Sequence, residues 1–206
     1  SSLIEISRKK SLNLRNVTVG IVGVGNVGKK VAKACEVLGI RVLLNDPPRQ
    51  RAGEAGIFVG LETIAKEADI MTFHTPLIKE GEDTTFHLAD QNFFLSLERK
   101  PIIINSARGA IVDTVSIKEA LKRGLISGAI IDCWENEPNI DLKYLNMVDQ
   151  CSPHIAGYSA DGKENASRMS LERIAELFNL SKEPIAQIEA PKPEKPIIDL
   201  TTFKTS

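Results

Sequence analysis

Between an apolar run, Val17–Val22 (VTVGIV), and a stretch with helical spacing, Asn26–Leu38, the chain carries Gly23-Val24-Gly25-Asn26-Val27-Gly28. Three glycines at this spacing suit a strand that turns sharply into a helix. Gly23 permits the turn, Gly25 lets the backbone approach a bound pyrophosphate, and Gly28 allows the helix to pack closely on the strand. The helix start that follows offers unpaired N–H groups and the positive end of the helix dipole, both favourable to phosphate. Asp46 lies 18 residues after Gly28, at the end of a second apolar run, Ile40–Asn45. A carboxylate there can accept hydrogen bonds from ribose hydroxyls and repel a 2′-phosphate, which favours NAD over NADP. Arg49 and Arg51 are close enough in sequence to leave the opposite preference open, since a nearby arginine can accommodate that phosphate.

The pattern continues past this unit. Leu61–Ala68 reads as a helix, Ile70–Phe73 as a strand, Gln91–Leu97 as a helix and Pro101–Asn105 (PIIIN) as a strand. Ser116–Arg123 and Gly128–Asp132 (GAIID) repeat the helix–strand alternation, and Asp161–Leu180 has the spacing of a closing helix. Strands that are apolar throughout, separated by helices, predict an α/β fold: a doubly wound parallel sheet of the Rossmann type, covered on both faces. Gly39 marks the end of the first helix, and Pro47 and Pro48 stop the second strand. Four of the ten prolines fall in the last 26 residues, three of them in Ala190–Pro196 (APKPEKP), which reads as a stiff linker or tail.

Composition removes several function classes. With 26 basic and 27 acidic residues the net charge is −1, so the chain lacks the cationic surplus that drives non-specific binding to nucleic acid or anionic membranes. No apolar run approaches spanning length. Three cysteines, Cys35, Cys133 and Cys151, share no close spacing, which predicts reduced thiols in a cytoplasmic protein and no metal site.

Polar residues gather where the predicted strands end, the edge at which such sheets bind ligands. Arg108, in Asn105-Ser106-Ala107-Arg108-Gly109, suits bidentate capture of a carboxylate, although taken singly it fits an ordinary loop salt bridge better. Glu137 follows the GAIID strand, and His154 lies in Ser152-Pro153-His154-Ile155-Ala156-Gly157. Removing a hydride from a secondary alcohol requires a base for the hydroxyl proton, a role suited to histidine, and a carboxylate on the imidazole would orient it. His74, at the end of Ile70–Phe73, is a rival base; His87, in a polar stretch, reads as structural. Tyr158 is equally suited to donating to a substrate oxygen and to packing at a domain edge.

GVGNVG, LLNDPP, FHTPL, NSARGAIVD, IIDCWENEP and SPHIAG occur in the order found in D-2-hydroxyacid dehydrogenases, and the chain resembles that family from Asn13 to Leu180. DPPR at Asp46–Arg49 and HIAGYSADGK at His154–Lys163 resemble a subtype that acts on a small phosphorylated 2-hydroxy acid. The resemblance implies NAD-dependent oxidation of 4-phospho-D-erythronate to its 2-oxo acid, within pyridoxal phosphate biosynthesis, by a cytoplasmic homodimer. It implies Arg108 and Glu137 as catalytic and His154 as the proton donor and acceptor. It places NAD against Asn26, Val27, Asp46, Thr75, Ser106, Ala107, Arg108, Asp132 and Gly157, beside the motif glycines Gly23, Gly25 and Gly28, and substrate near Tyr158. Residues 1–12 are expected to be a truncated hinge helix, 13–180 the cofactor domain and 181–206 a linker or tail. Only 22 residues precede Gly23, so the family's substrate-binding domain and the subtype's C-terminal dimerisation domain are expected to be missing. Two other readings stay open: a related dehydrogenase of glycerate or phosphoglycerate, and a non-catalytic NAD-sensing module.

Overall fold

The computed structural model describes residues 2–192. The chain divides into a first compact unit, Ser1–Ala156, and a second that begins at Gly157. The first unit runs α1 (Ser2–Lys9), β1 (Thr18–Val22), α2 (Asn26–Val37), β2 (Arg41–Asn45), α3 (Pro47–Arg51), α4 (Leu61–Glu67) and β3 (Ile70–Phe73). It continues α5 (Gln91–Leu95), β4 (Ile102–Asn105), α6 (Thr114–Arg123), β5 (Gly128–Ile131), α7 (Leu142–Leu145) and β6 (Gln150–Cys151). The six strands form one parallel sheet in the order β2-β1-β3-β4-β5-β6.

This is a Rossmann-type sheet, doubly wound as its sequence pattern predicts. The path leaves β1 through α2 to reach β2 on one side, then returns through α4 to β3 on the other. The carboxyl ends of β1 and β3 therefore border the topological switch point, where this architecture forms its ligand crevice. In the full nucleotide-binding order a further strand lies outside β2. Here Phe58 supplies only a single parallel bridge to Leu44.

Alternate strand residues feed two cores, as the two-residue strand period requires. Val19, Ile21, Ile70, Ile102 and Ile130 face one layer with Ala32 and Cys35 of α2 and Ile6 of α1. Val22, Met71, Phe73, Ile103, Ala129 and Ile131 face the other with Ile64 of α4, Phe93 and Phe94 of α5, and Ile117 of α6. Most predicted elements are present within a residue or two of their expected ends. The exceptions are α3, α7 and β6, which are too short to show a period. Pro47 and Pro48 do stop β2, but they also open α3, where proline's missing N–H costs nothing.

The second unit is built on α8 (Ala160–Phe178), capped by Ser159, whose hydroxyl accepts the Gly162 N–H at 2.9 Å. Ala190 N–H donates to Glu164 at 2.8 Å, bringing the following segment back along this helix. Most of the proline-rich stretch at Ala190–Pro196 lies outside the described residues.

Gly20 is needed in the centre of β1 for packing. A Cβ built there would stand 2.5 Å from Ile64 Cγ2 and 3.2 Å from Ala68 Cβ. Gly20→Ala is therefore expected to destabilise the chain by about 1–3 kcal/mol through overpacking of α4 against the sheet. The urea midpoint measures this, and an unchanged midpoint would show that α4 does not pack closely on β1.

Candidate active site

The glycine loop leaves β1 at Gly23, whose φ of 91° is open to glycine and rare for other residues. A Cβ at Gly23 would lie 2.7 Å from the backbone of His74 and Thr75, and one at Gly28 would lie 2.0 Å from the Gly23 carbonyl oxygen. A Cβ at Gly25 would meet nothing within 4 Å. Two of the glycines thus permit contacts inside the chain, while the third faces open space. Gly25 begins α2 without any side-chain cap, and Asn26 and Val27 in the first turn are exposed. Thr75, against which Gly23 packs, has a buried hydroxyl without a hydrogen-bond partner among the described residues. An uncapped helix start, an open glycine and an orphaned hydroxyl at one strand edge fit a dinucleotide phosphate group.

Asp46 ties this loop to the end of β2. Its carboxylate accepts the Val24 N–H at 2.8 Å and the Arg49 N–H at 3.2 Å. Arg49 turns back on Asp46 at 3.4 Å and pairs with Glu54, while Arg51 pairs with Asp83 and Glu82. Both arginines named as possible 2′-phosphate ligands are therefore held by carboxylates.

Further along the same edge, Asn105 shapes the loop that carries Arg108. Its amide donates to the Arg108 carbonyl at 3.0 Å and its oxygen accepts the Ala107 N–H at 3.2 Å. The exposed Arg108 guanidinium donates to the Ala107 carbonyl and forms no ion pair among the described residues. Ser106 and Ala107 lie in the same loop, Ala107 buried.

Glu137 accepts the Trp134 N–H through one oxygen and meets His154 Nδ1 through the other, each at 2.7 Å. His154 has a left-handed backbone, with φ 56°, which costs a non-glycine residue about 1 kcal/mol or more. The compensating contacts come from Asp132 at the end of β5. Its carbonyl accepts the His154 N–H at 2.8 Å. Its carboxylate accepts the Ile155 N–H at 2.8 Å, the Ala156 N–H at 3.1 Å and the Ser152 hydroxyl at 2.6 Å. Burial alone would raise the Asp132 carboxyl pKa; the hydrogen bonds from Ser152, Ile155 and Ala156, with the nearby His154, outweigh it and hold the group below its ordinary value. Burial, followed by the charges of Asp132 and Glu137, pushes the neighbouring Cys133 thiol up to about 12.

His74, the rival base, has no carboxylate partner among the described residues. Its Nε2 meets Thr72 Oγ1 at 3.0 Å, and burial lowers its pKa. Gly157 and Tyr158 belong to the second unit, where Lys163 Nζ stands 3.7 Å above the Tyr158 ring. Sequence reasoning overlooked Ser152 and the shaping role of Asn105. Asn105 did leave a signal, because a lone amide closing the apolar run PIIIN requires internal partners once it is buried.

The family model for the D-isomer specific 2-hydroxyacid dehydrogenase NAD-binding domain matches residues 4–156, which hold both the glycine cradle and the Glu137–His154 pair. The chain belongs to this family. The erythronate-4-phosphate dehydrogenase of Bacteroides fragilis is 47% identical over 204 residues, covering 99% of this chain and 58% of that protein. Its counterpart in Bacteroides thetaiotaomicron is 50% identical over 199 residues, covering 97% and 57%. The Escherichia coli O139:H28 enzyme is 40% identical over 194 residues, covering 94% and 51%. This is the subtype that DPPR and HIAGYSADGK resemble, and the chain spans a little over half the length of these relatives. Among solved structures, the D-lactate dehydrogenase of Lactobacillus jensenii with NAD+ superposes with a TM-score of 0.67 at 26% identity, covering 88% of this chain and 62% of that one. Another D-2-hydroxyacid dehydrogenase, from Lactobacillus delbrueckii in its NAD-complexed form, gives 0.67 at 24% identity over 84% and 57%, a likeness of fold.

Asp132→Asn exchanges a carboxylate that accepts three donors for an amide with one acceptor oxygen. It is expected to cost about 2–4 kcal/mol. Because the folded carboxyl pKa is depressed, its contribution is complete above the ordinary carboxylate range and disappears as pH falls through the folded value. Denaturant titrations from pH 7 down to pH about 3 should show the difference between wild type and variant shrinking only at the acid end. A difference independent of pH would mean that the charge of Asp132 contributes nothing to holding the turn.

Proposed function

We propose that this chain is the cofactor-binding half of an enzyme that oxidises 4-phospho-D-erythronate to its 2-oxo acid, using NAD, in pyridoxal phosphate biosynthesis. The observation that carries this reading is the 2.7 Å contact between Glu137 and His154 Nδ1 at the edge that also holds the glycine cradle. With Nδ1 engaged by the carboxylate, Nε2 is the nitrogen left to exchange a proton with the substrate hydroxyl. Glu137 fixes the orientation of the ring. Arg108, free of carboxylate partners among the described residues, binds the substrate carboxylate and polarises the adjacent C–O bond as it becomes a carbonyl. NAD, when bound, would supply the hydride acceptor for the carbinol carbon. Gly23–Gly28 and α2 would hold its phosphates and Asp46 its adenosine ribose, and the orphaned Thr75 hydroxyl would gain a partner there. The three unpaired cysteines support a reducing, cytoplasmic setting.

Calorimetry with NADH and NADPH tests the cofactor half directly on this chain. NADH should bind and raise the melting temperature, and NADPH should bind at least tenfold more weakly, about 1.4 kcal/mol. Asp46→Ala should narrow that ratio. Absence of affinity for either nucleotide would end the reading. For the chemistry, His154→Ala in a chain that includes the substrate-binding region should abolish turnover of 4-phospho-D-erythronate while NADH affinity persists. Undiminished turnover would remove His154 from the reaction.

A further inference from the structure

Away from the Glu137–His154 pair, three side chains from distant segments meet. His87 precedes α5, Asp113 is the N-cap of α6, and Glu135 follows β5. His87 Nε2 stands 2.7 Å from Glu135 Oε1 and 3.9 Å from Asp113 Oδ1. The three potential ligand atoms all lie within 4.8 Å of one another.

Two further observations distinguish this group from a chance cluster. Each carboxylate uses its other oxygen for anchorage: Glu135 Oε2 accepts the Thr114 N–H at 2.8 Å, and Asp113 Oδ2 accepts the Ser116 N–H at 2.9 Å. The inward oxygens are thereby held in place beside His87 Nε2, the arrangement by which outer partners orient metal ligands. The charge is only partly compensated, by the first-turn N–H groups of α6 and by His87. The Asp113 and Glu135 side chains are only 19% and 16% exposed, yet among the described residues neither pairs with a lysine or arginine. His87 alone faces both, so the group carries a net negative charge whether the imidazole is protonated or neutral. Carboxylates withdrawn from water with one shared imidazole call for a cation.

We propose that His87, Asp113 and Glu135 bind a single divalent cation of the Zn2+ or Mn2+ class. One imidazole nitrogen and two carboxylate oxygens suit these ions better than Mg2+ or Ca2+, which favour all-oxygen sets. The ligands are 26 and 22 residues apart in sequence, which is why motif spacing does not reveal them. The site would join two segments that flank the active-site edge. His87 N–H donates to the Ala110 carbonyl at 2.8 Å, and a Cβ at Gly109 would lie 2.0 Å from the Trp134 backbone. The cation would therefore hold the loop carrying Arg108 against the segment leading to Glu137.

The chain's three histidines make the test direct. Substoichiometric MnCl2 should broaden the His87 ring resonances in NMR spectra first and most strongly, ahead of those of His74 and His154. ZnCl2 calorimetry should give one ion per chain and an increased melting temperature. Glu135→Gln and Asp113→Asn keep an acceptor for the Thr114 and Ser116 N–H groups, and each should weaken Zn2+ at least tenfold. Broadening centred on His154, no broadening, or Zn2+ affinity unchanged in both variants would overturn the site. Since the wild-type spectra decide the location, a variant that fails to fold does not rescue the proposal. NADH affinity of the metal-free chain is independent of these results.

Discussion

The clamp of Asp132 on the turn beyond β6 is the interaction on which the rest of the site depends. One carboxylate gathers the Ser152 hydroxyl and the N–H groups of Ile155 and Ala156, while the same residue's carbonyl takes the His154 N–H. Together these hold a histidine in a backbone conformation it would not choose. The imidazole then meets Glu137, which is itself fixed by the Trp134 N–H. A side chain keeps a single orientation only with such support, because an unheld one distributes itself among rotamers.

The two halves of the edge are built by different physics. At β1 and β2 the chain works by absence: glycine at Gly23 and Gly28 lets backbones approach, and Gly25 leaves room. A side-chain contribution, Asp46, ties the Val24 N–H to β2. At β4, β5 and β6 the chain works by polar side chains, with Asn105 and Asp132 closing the turns that present Arg108 and His154. The parallel sheet unites them, because every strand ends on the same side and consecutive loops share one rim.

The cradle was legible in the sequence because glycine's conformational freedom has few substitutes at those places. The sheet was legible because strands buried on both faces are mostly apolar, and runs such as VTVGIV and PIIIN show it. Three kinds of feature did not reach the sequence level. The short helices α3 and α7 complete hardly more than one turn and show no period. The role of Ser152 depends on a partner twenty residues earlier, and serine is common in loops for many reasons. His87 reads as structural, but its partners, Phe86 against the ring face and Glu135 at Nε2, are set only by the folded loops.

The central claim is that the cofactor's reactive end and the carboxylate-backed imidazole share one rim of the sheet. Histidine-selective NMR during an NADH titration tests it most directly. The ring signals of His154, beside the proposed nicotinamide position, and of His74, beside Thr75, should shift together and saturate at one equivalent, with His87 unmoved. Saturable NADH binding that leaves the His154 ring unchanged would place the nicotinamide elsewhere and contradict the account.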